Sequence, residues 1–490
     1  MTKIPININA GWMPDYNLEE IAKLGGLKTA KNVIPTNKKY KPLQGLLTFN
    51  ATAVTGTALN GYVVQDIDGL YYNFLGTTTK LYRYSSSALT DVTRTASNYD
   101  GSYWNFTEYG TWLIATNFVD VVQVLKGFTT ANFVALGGTP PIAKYCLLNN
   151  GHLILAGLNE SGTNKPKKVK WSARDSLEDW TASLLTGAGE KEFAEMLGGI
   201  TGIGSIGDNF IIATENGITI GYYVGGVYTF SFKINAYKNI GCFYPQSFIS
   251  VRDFILFWGK DDIYLFDGTT MKPIGEKVRN TILSDINPTY INRISTLHDK
   301  KNKTIIWSYP SLTSNGTPDK LVFYNYQEDR WSHADLSVQC LIVSVSGGIL
   351  IEDLASTDLD SIAIPIDSDY WLGKNILPAA VDTDSKIKTF SGASLEAEIE
   401  TGEYFESPLM LQINKAYLPI DTLIGSSTVN VLHRNSAAAG QTAASTVNVK
   451  TDGSVDLRTT NKRLALRIKV LSYISIGNTI ETEITTTGKK

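Results

Sequence analysis

The sequence predicts a mainly-β protein: a β-propeller of six to seven irregular blades with an appended C-terminal β-sandwich-like domain. The composition favours sheets, because the 490 residues include 25 Tyr, 18 Phe and 9 Trp, and aromatic side chains suit half-buried pleated strands. The 42 glycines supply the positive-φ turns that connect short strands.

A strand repeat is the second observation that predicts a propeller. Residues 147–155, 204–212 and 249–257 each contain a short apolar run, a tight polar turn and another apolar run. Comparable runs begin at Tyr62, Tyr103, Tyr145, Ile203, Phe248, Ile294 and Leu341. Their spacing of roughly 40–50 residues is typical of propeller blades, and the insertion 159–170 explains one longer interval. One blade cannot bury both faces of its sheet, so neighbours must stack around an axis; stacked β-sandwiches are the alternative.

The chain divides into four predicted regions. We expect an N-terminal arm with a short helix and the first strand over 1–50, propeller-like repeats over 51–375, a linker over 376–394 and a C-terminal β-sandwich over 395–490. The linker is predicted from its polar, turn-rich composition, and the sandwich from alternating strands at 397–401 and 465–470.

Helical signals are few and short. Asp15 or Asn17 can cap a helix that runs to Leu24 and is stopped by the following Gly pair. A second short helix is predicted within residues 275–286, just before a proline, and a short turn over 191–197.

Charge and cysteine content limit the function classes. There are 44 basic and 47 acidic residues, a net charge of −3, so the basic excess of a dedicated duplex-DNA binder is missing. The 19% charged fraction is below the roughly 25% that is typical, which suits a surface buried against partners. Cys146, Cys242 and Cys340 are far apart and predict reduced cysteines in a reducing compartment. We expect neither a signal peptide nor a transmembrane helix.

Three motifs resemble binding sites but are interpreted structurally. Residues 202–207 match GxGxxG, yet a strand rather than a helix follows, which predicts a hairpin instead of a phosphate cradle. Residues 66–69 resemble the first half of a calcium loop without its later ligands, which predicts an Asp-Gly hairpin turn. The four histidines show no zinc-ligand spacing: His152, His298, His333 and His433.

Charged clusters are also interpreted structurally. An acidic cluster contains Glu396, Glu398, Glu400, Glu403 and Glu406. Strand alternation puts the first three on one face, which we expect to be solvated rather than to form a catalytic carboxylate pair across a cleft. Basic clusters at 38–41, 165–170 and 458–463 are interpreted as solvated loops or ion-pair partners. A nucleic-acid path is the alternative for the last two.

We therefore expect no catalytic, cofactor-binding or metal-binding residues and no enzymatic activity. The sequence contains no GxSxG, HExxH, P-loop or kinase signature.

Several phrases, taken in order, resemble a known family. They occupy residues 30–35, 40–46, 115–124, 170–180, 263–268 and 323–332. Together they resemble the tail nozzle, or packaged-DNA stabilisation, proteins of short-tailed double-stranded-DNA bacteriophages. The resemblance covers most of 28–335 and is weaker in the C-terminal domain. Phe118 and Val121 stand where the family has glycine and proline, so we expect that turn to differ.

The resemblance implies a β-propeller virion protein of the phage tail that is synthesised in the host bacterial cytoplasm. It implies a ring, usually of six copies, that extends the DNA channel below the portal and adaptor and helps retain packaged DNA until ejection. The implied partners are other copies of the chain, portal or adaptor proteins, tail fibres or spikes, and passing DNA without sequence-specific binding. A near-neutral wall suits this role, because many Lys–phosphate contacts would hold the DNA.

Two further function classes stay open at this stage. A carbohydrate- or receptor-binding β-propeller adhesin is suggested by Trp104, Trp112, Trp180 and Trp331, which we expect to be exposed. A propeller hydrolase is the third class, and it would need a pair of carboxylates across a cleft.

Overall fold

The computed structural model describes residues 2–130, 132–226, 228–345, 375–406 and 409–487. The amino-terminal segment contains the strands β1 (Thr2–Asn7), β2 (Leu27–Lys31), β3 (Val33–Thr36), β4 (Lys39–Pro42) and β5 (Gln44–Asn50), and the helix α1 (Leu18–Leu24). The predicted cap is confirmed: the Asn17 side chain accepts a hydrogen bond from Glu20 N at 2.9 Å, and Gly25 ends the helix with φ 68°.

Blades 1 to 3 follow in chain order, each an antiparallel sheet of four strands. Blade 1 contains β6 (Ala58–Gln65), β7 (Tyr71–Thr77), β8 (Leu81–Tyr84) and β9 (Leu89–Asp91). Blade 2 contains β10 (Asn105–Tyr109), β11 (Trp112–Thr116), β12 (Gln123–Lys126) and β13 (Val134–Ala135). Blade 3 contains β14 (Ile142–Asn149), β15 (His152–Glu160), β16 (Thr163–Trp171) and β17 (Gly189–Glu192). The insertion 159–170 is the long β15–β16 hairpin.

Blades 4 to 6 repeat this pattern. Blade 4 contains β18 (Ile200–Ile206), β19 (Asn209–Thr214), β20 (Gly217–Tyr223) and β21 (Phe230–Lys238). Blade 5 contains β22 (Ile249–Val251), β23 (Phe254–Trp258), β24 (Ile263–Phe266) and β25 (Met271–Pro273). Blade 6 contains β26 (Ser295–Asp299), β27 (Thr304–Tyr309), β28 (Lys320–Asn325) and β29 (Arg330–Asp335). Second strands such as β19 and β27 are buried along nearly their whole length, because neighbouring blades cover both faces.

Blade 7 is built from both ends of the propeller segment. It contains β30 (Val338–Val345), β31 (Ile376–Asp382) and β32 (Ile387–Ser394), and β5 is its outermost strand. The prediction of a linker over 376–394 is therefore wrong: these residues form two strands that pair with β30 and β5. Pro378 within β31 and the Ser/Gly-rich end of β32 mask the strand pattern, and backbone pairing rather than apolar alternation defines these strands.

The blades close into a ring. Over the described ranges the innermost strands β6, β10, β14, β18, β22, β26 and β30 contact one another in a closed cycle. Side chains bridge neighbouring blades: Cys146 N donates to Asn105 Oδ1 at 2.8 Å, and Ala58 N donates to Gln339 Oε1 at 2.8 Å, which joins blade 1 to blade 7. The predicted propeller is thus confirmed, with seven blades formed by the residues that the structure describes.

The remaining strands form the C-terminal region. They are β33 (Ala397–Thr401), β34 (Tyr404–Phe405), β35 (Met410–Tyr417), β36 (Ile420–Leu423), β37 (Ser427–Arg434), β38 (Thr442–Ala443), β39 (Val447–Asn448), β40 (Ser454–Asn461), β41 (Arg463–Val470), β42 (Tyr473–Ile476) and β43 (Thr479–Thr487). One layer has the order β1-β43-β35-β40, and the facing layer contains β2, β33, β41 and β37. A third sheet has the order β3-β4-β42-β36. Residues 1–50 are thus not a separate arm, because their strands complete these sheets and blade 7.

The sandwich and the propeller share one hydrophobic core. The largest buried cluster runs from blades 5 and 6 through Trp331 and Tyr40 into the sandwich. Strand β2 continues the sheet of blade 6, with Lys31 opposite His333 in a parallel pair. The Asp15 carboxylate accepts a hydrogen bond from Asn280 N at 2.7 Å. It thereby caps the second predicted helix, α2 (Arg279–Asp285).

Short 3₁₀ segments precede two innermost strands, at Pro245–Ser247 and Pro288–Arg293. The turn predicted over 191–197 begins later than expected, because Lys191 and Glu192 still belong to β17. In the described ranges no helix is long and apolar enough to cross a membrane.

The turn that departs from the family phrase keeps a glycine-like backbone. Phe118 has φ 67°, a left-handed conformation that disfavours side chains. Asn117 holds the turn, because its Oδ1 accepts hydrogen bonds from Val119 N at 3.1 Å and Asp120 N at 2.9 Å.

Candidate interaction surface

Large apolar side chains are exposed where blades 3 and 4 reach solvent. Leu185 is 98% exposed and Tyr228 is 76% exposed, and Leu184 and Val224 are also exposed. They lie in the β16–β17 loop and the β20–β21 turn, and we name these four residues the blade 3–4 rim. The available signal in the sequence was an apolar pair, Leu184 and Leu185, inside a turn-rich segment, and it was not recognised as an exposed surface.

Hydrogen bonds fix this rim in place. Gly187 O accepts from Trp171 Nε1 at 2.8 Å and from Thr229 Oγ1 at 2.7 Å. The β16–β17 loop of blade 3 is thereby tied to the β20–β21 turn of blade 4. Exposed apolar groups on a fixed scaffold are typical of a contact surface.

Two cavities flank the rim. One of about 640 Å³ has an aromatic lining that includes Trp171, Phe230 and Phe232. The other, of about 420 Å³, has a lining that includes His152, Arg174 and the rim residues Leu184 and Leu185. Both are wide enough for a small ligand or an inserted side chain.

A second exposed apolar area lies on the sandwich. Ile424 is 74% exposed, and Leu471 and Ile474 are exposed beside it. Ile424 N donates to Ser472 O at 2.9 Å, which brings the β36 and β42 ends together. We name Ile424, Leu471 and Ile474 the sandwich tip. Because the sandwich is attached at blade 6, the tip and the blade 3–4 rim are separate surfaces of one body.

A small cavity of about 110 Å³ lies at the propeller axis. Tyr103 and Tyr145 line it, with ring centroids 6.3 Å apart. Lys144 Nζ is 5.5 Å from the Tyr145 ring centroid. Burial raises the pKa of Tyr103 and lowers the pKa of Lys144. The volume suits a few water molecules, at about 30 Å³ each.

The glycine motif forms a hairpin, as predicted. Gly207 lies in the β18–β19 turn with φ 55°, and no helix follows. Gly202 and Gly204 lie against the Phe248 ring, where an added Cβ would come within 2.9 Å of it. These glycines therefore serve packing between blades 4 and 5.

The Asp66–Gly69 segment is a hairpin loop between β6 and β7, with Gly69 N donating to Asp66 O at 2.9 Å. The loop spans 66–70 and is therefore wider than the two-residue turn we expected.

The histidines are far apart and do not converge. His152 Nδ1 lies 2.8 Å from Ser172 O, and His433 Nδ1 lies 2.9 Å from Asn461 Nδ2. Burial lowers the pKa of His298 and of His333 to about 4. Within the described ranges no group of three or more His, Cys, Asp or Glu residues could hold a metal ion.

The three cysteines are buried and free. Burial raises the pKa of Cys242 and of Cys340 to about 12, so both thiols stay protonated at neutral pH.

The acidic cluster does not form the solvated face that we expected. Glu400 and Glu403 are buried. Arg467 lies 3.0 Å from Glu400, and Arg434 lies 2.6 Å from Glu403. Strand β41 runs antiparallel beside β33 and supplies Arg467, whereas Arg434 comes from β37. Sequence reasoning missed this because the cations are distant along the chain: Arg467 is 67 residues from Glu400, and Arg434 is 31 residues from Glu403.

Ion pairs engage most of the basic cluster at 165–170 and one residue of the cluster at 458–463. Lys168 lies 2.9 Å from both Glu160 and Glu190. Arg463 pairs with Glu19 and lies 3.6 Å from Glu403. The contacts agree with the interpretation of the 165–170 cluster as ion-pair partners, whereas in the 458–463 cluster they do so for Arg463 alone.

The tryptophans expected to be exposed are mostly core residues. Trp104, Trp180 and Trp331 are buried, and only the partly buried Trp112, of the four, reaches solvent. They were misjudged because each follows a turn-rich stretch, and burial there is decided by the neighbouring blade. The observation that suggested an adhesin therefore does not hold.

Comparison with known proteins leaves the family undecided. No family model and no curated protein matches the sequence. Among solved structures, YCF48 bound to a D1 peptide is 10% identical with a TM-score of 0.38, and the match covers 74% of this chain and 99% of the YCF48 chain. BamB from Moraxella catarrhalis is 10% identical with a TM-score of 0.38, and the match covers 73% of this chain and 95% of BamB. The designed protein Ika8 is 7% identical with a TM-score of 0.37, and the match covers 74% of this chain and 96% of Ika8. Similarity this low carries no argument about function, and the propeller assignment rests on the closed ring of sheets.

Proposed function

We propose that this chain is a structural subunit of a phage tail, a nozzle ring protein that extends the DNA channel below the portal and adaptor. The observation that carries the proposal is the presence of two separate exposed apolar areas, the blade 3–4 rim and the sandwich tip, on one body. Subunits of a closed ring contact each other head to tail, so each copy needs two different complementary surfaces.

The continuous core supports this role. A propeller and a sandwich joined by buried aromatic residues form one body, and a rigid body can hold both surfaces at a fixed angle. That angle is what determines whether a head-to-tail contact closes into a ring.

The charge distribution also supports it. The chain carries a net charge of −3, and many basic side chains of the described ranges are engaged by carboxylates. A channel wall of this kind confines DNA with few phosphate contacts, and each such contact would add to the salt-dependent affinity. On the strength of the sequence resemblance, we further propose that six copies form the ring. The ring would dock on a portal or adaptor platform and carry external fibres or spikes.

The proposal is tested by altering each surface in assembled particles. We expect the double substitutions Leu184→Asp with Leu185→Asp, and Ile424→Asp with Ile474→Asp, each to reduce incorporation into tails at least tenfold. A tenfold loss corresponds to about 1.4 kcal/mol per contact, which is modest for a desolvated carboxylate.

The matched control is Ile67→Asp with Leu70→Asp, another exposed apolar pair, in the blade 1 hairpin, which should incorporate normally. Electron cryo-microscopy of the particle then locates the subunit. Normal incorporation of both rim and tip variants, or a location outside the tail, would overturn the proposal. The purified chain alone should be monomeric or weakly associated in mass photometry, because the docking platform brings copies together.

A further inference from the structure

The 420 Å³ cavity shares Leu184 and Leu185 with the rim and also has polar groups at its wall. Gly187 passes over His152 with φ 70°, and a Cβ there would come within 3.3 Å of the imidazole. Since Gly187 O is held by Trp171 and Thr229, the cavity wall is set before any ligand arrives. Preorganised walls reduce the ordering cost of binding.

His152 supplies a hydrogen-bond acceptor. The residue is 1% exposed and lines the cavity. Its Nδ1 lies 2.8 Å from Ser172 O, a carbonyl that can only accept, so Nδ1 carries the proton and Nε2 carries the lone pair. Nε2 has no hydrogen-bond partner among the described residues. Burial lowers the pKa of His152, so a ligand must offer Nε2 a hydroxyl or N–H proton.

Arg174 also lines the cavity and supplies donors and positive charge. Its Nη1 donates to Tyr223 OH at 3.3 Å, and its Cζ lies 5.8 Å from the Tyr223 ring centroid. Asp175 lies 3.7 Å from its Nε and balances only part of the charge at this exposed position. The remaining donors of the guanidinium fork match a carboxylate.

An aromatic ring and aliphatic side chains also line this cavity. The Tyr223 ring centroid is 5.9 Å from that of His152, and Leu184 and Leu185 complete the lining. Such a surface accepts the C–H face of a sugar ring, and a cavity of about 420 Å³ falls within the roughly 300–1,000 Å³ of small-ligand sites.

We infer that this cavity binds an acidic sugar, a uronic acid residue of a polysaccharide, with a hydroxyl donating to His152 and the carboxylate accepting from Arg174. A neutral sugar would satisfy only the first contact. Leu184 and Leu185 belong to both the rim and the cavity lining, so sugar binding is tested in the purified chain, where the rim is uncovered. A nozzle subunit that fails to bind sugar would leave the proposed function intact.

The experiment compares a glucuronic-acid-containing disaccharide with the glucose-containing disaccharide of the same linkage, using the full chain and saturation-transfer NMR with titration. We expect the acidic disaccharide to bind at least tenfold more tightly. Arg174→Gln should bring that ratio close to one, whereas Arg252→Gln, at an exposed arginine of the blade 5 hairpin, should preserve it.

His152→Phe should weaken binding of both disaccharides about tenfold, and His152→Gln, which retains an acceptor, should recover part of it. Because His152 is buried, each variant is first checked for an unchanged far-ultraviolet circular dichroism spectrum. Leu184→Ser changes an exposed residue of the cavity lining and so provides a second variant outside the core. Equal binding of the two disaccharides, binding by neither, or an acidic preference that survives Arg174→Gln would overturn the inference. If neither disaccharide bound and the cavity were instead occupied by a second copy of the chain, the inference would likewise be overturned and the cavity assigned to a protein contact.

Discussion

Replacing Trp331 by alanine tests how the propeller and the sandwich are held together. The side chain is 0% exposed. Its rings lie 6.0 Å from Trp307 and 4.5 Å from Tyr324, measured between centroids, and Nε1 donates to Ile274 O at 3.3 Å. From the other side, Trp12 N donates to Trp331 O at 2.9 Å. The indole thus packs at the junction of blades 5 and 6 with the amino-terminal strands.

The loss of unfolding free energy in Trp331→Ala follows from the burial of the indole. Truncating a fully buried tryptophan costs about 3–5 kcal/mol, and the lost hydrogen bond adds about 1 kcal/mol. At roughly 2 °C per kcal/mol, the lower end for larger domains, we expect the melting temperature to fall by about 8–12 °C in differential scanning calorimetry.

Trp112→Ala is the matched control. Trp112 is partly buried and lies under Lys126 Nζ at 4.3 Å from its ring centroid, so its removal should cost about 1 kcal/mol, the scale of an exposed cation–π contact. An unchanged melting temperature for Trp331→Ala, or equal losses for the two variants, would refute the shared-core reasoning.

Three further predictions concern charge, pH and backbone strain. Glu403→Gln leaves Arg434 without its buried partner and should cost about 3–5 kcal/mol of unfolding free energy, against about 0–1 kcal/mol for the exposed Glu396→Gln, as measured by urea denaturation. The folded-state pKa of His333 is about 4 against the ordinary 6.5, so the unfolded chain binds the proton first. Stability should therefore fall by about 1–3 kcal/mol as pH drops from 6.5 to 4, and His333→Gln should flatten that slope. Phe118→Gly should raise stability by about 1 kcal/mol, because it removes the cost of a left-handed non-glycine residue, and a lower melting temperature would contradict this.

Local signals predicted the blades because each is formed from neighbouring residues. The hairpins at 204–212 and 249–257 pair strands that are adjacent in the chain, so apolar runs and intervening turns suffice to identify them. The cap at Asn17 is equally local, since a side-chain oxygen and a backbone N–H three residues on decide it. Helix α2 was predicted too, although its actual cap, Asp15, is 265 residues from Asn280.

The candidate surface was not predicted, and the reason is physical. Leu184 and Tyr228 belong to different blades, and only the stacking of those blades brings them to one rim. His152 and Arg174 line one cavity because the β16–β17 loop folds back over β15. An apolar residue in a loop gives no local indication of whether a neighbouring blade covers it.

The sequence by itself determined the strand-rich character, the blade period and the positions of most hairpins, since these depend on residues within a few positions of one another. Only the tertiary structure decided the pairing of β5 with β32, the neutralisation of Glu400 by Arg467, and the burial of Trp331. Those features join segments tens to hundreds of residues apart, and closing such long loops is governed by the whole packed core rather than by any local preference.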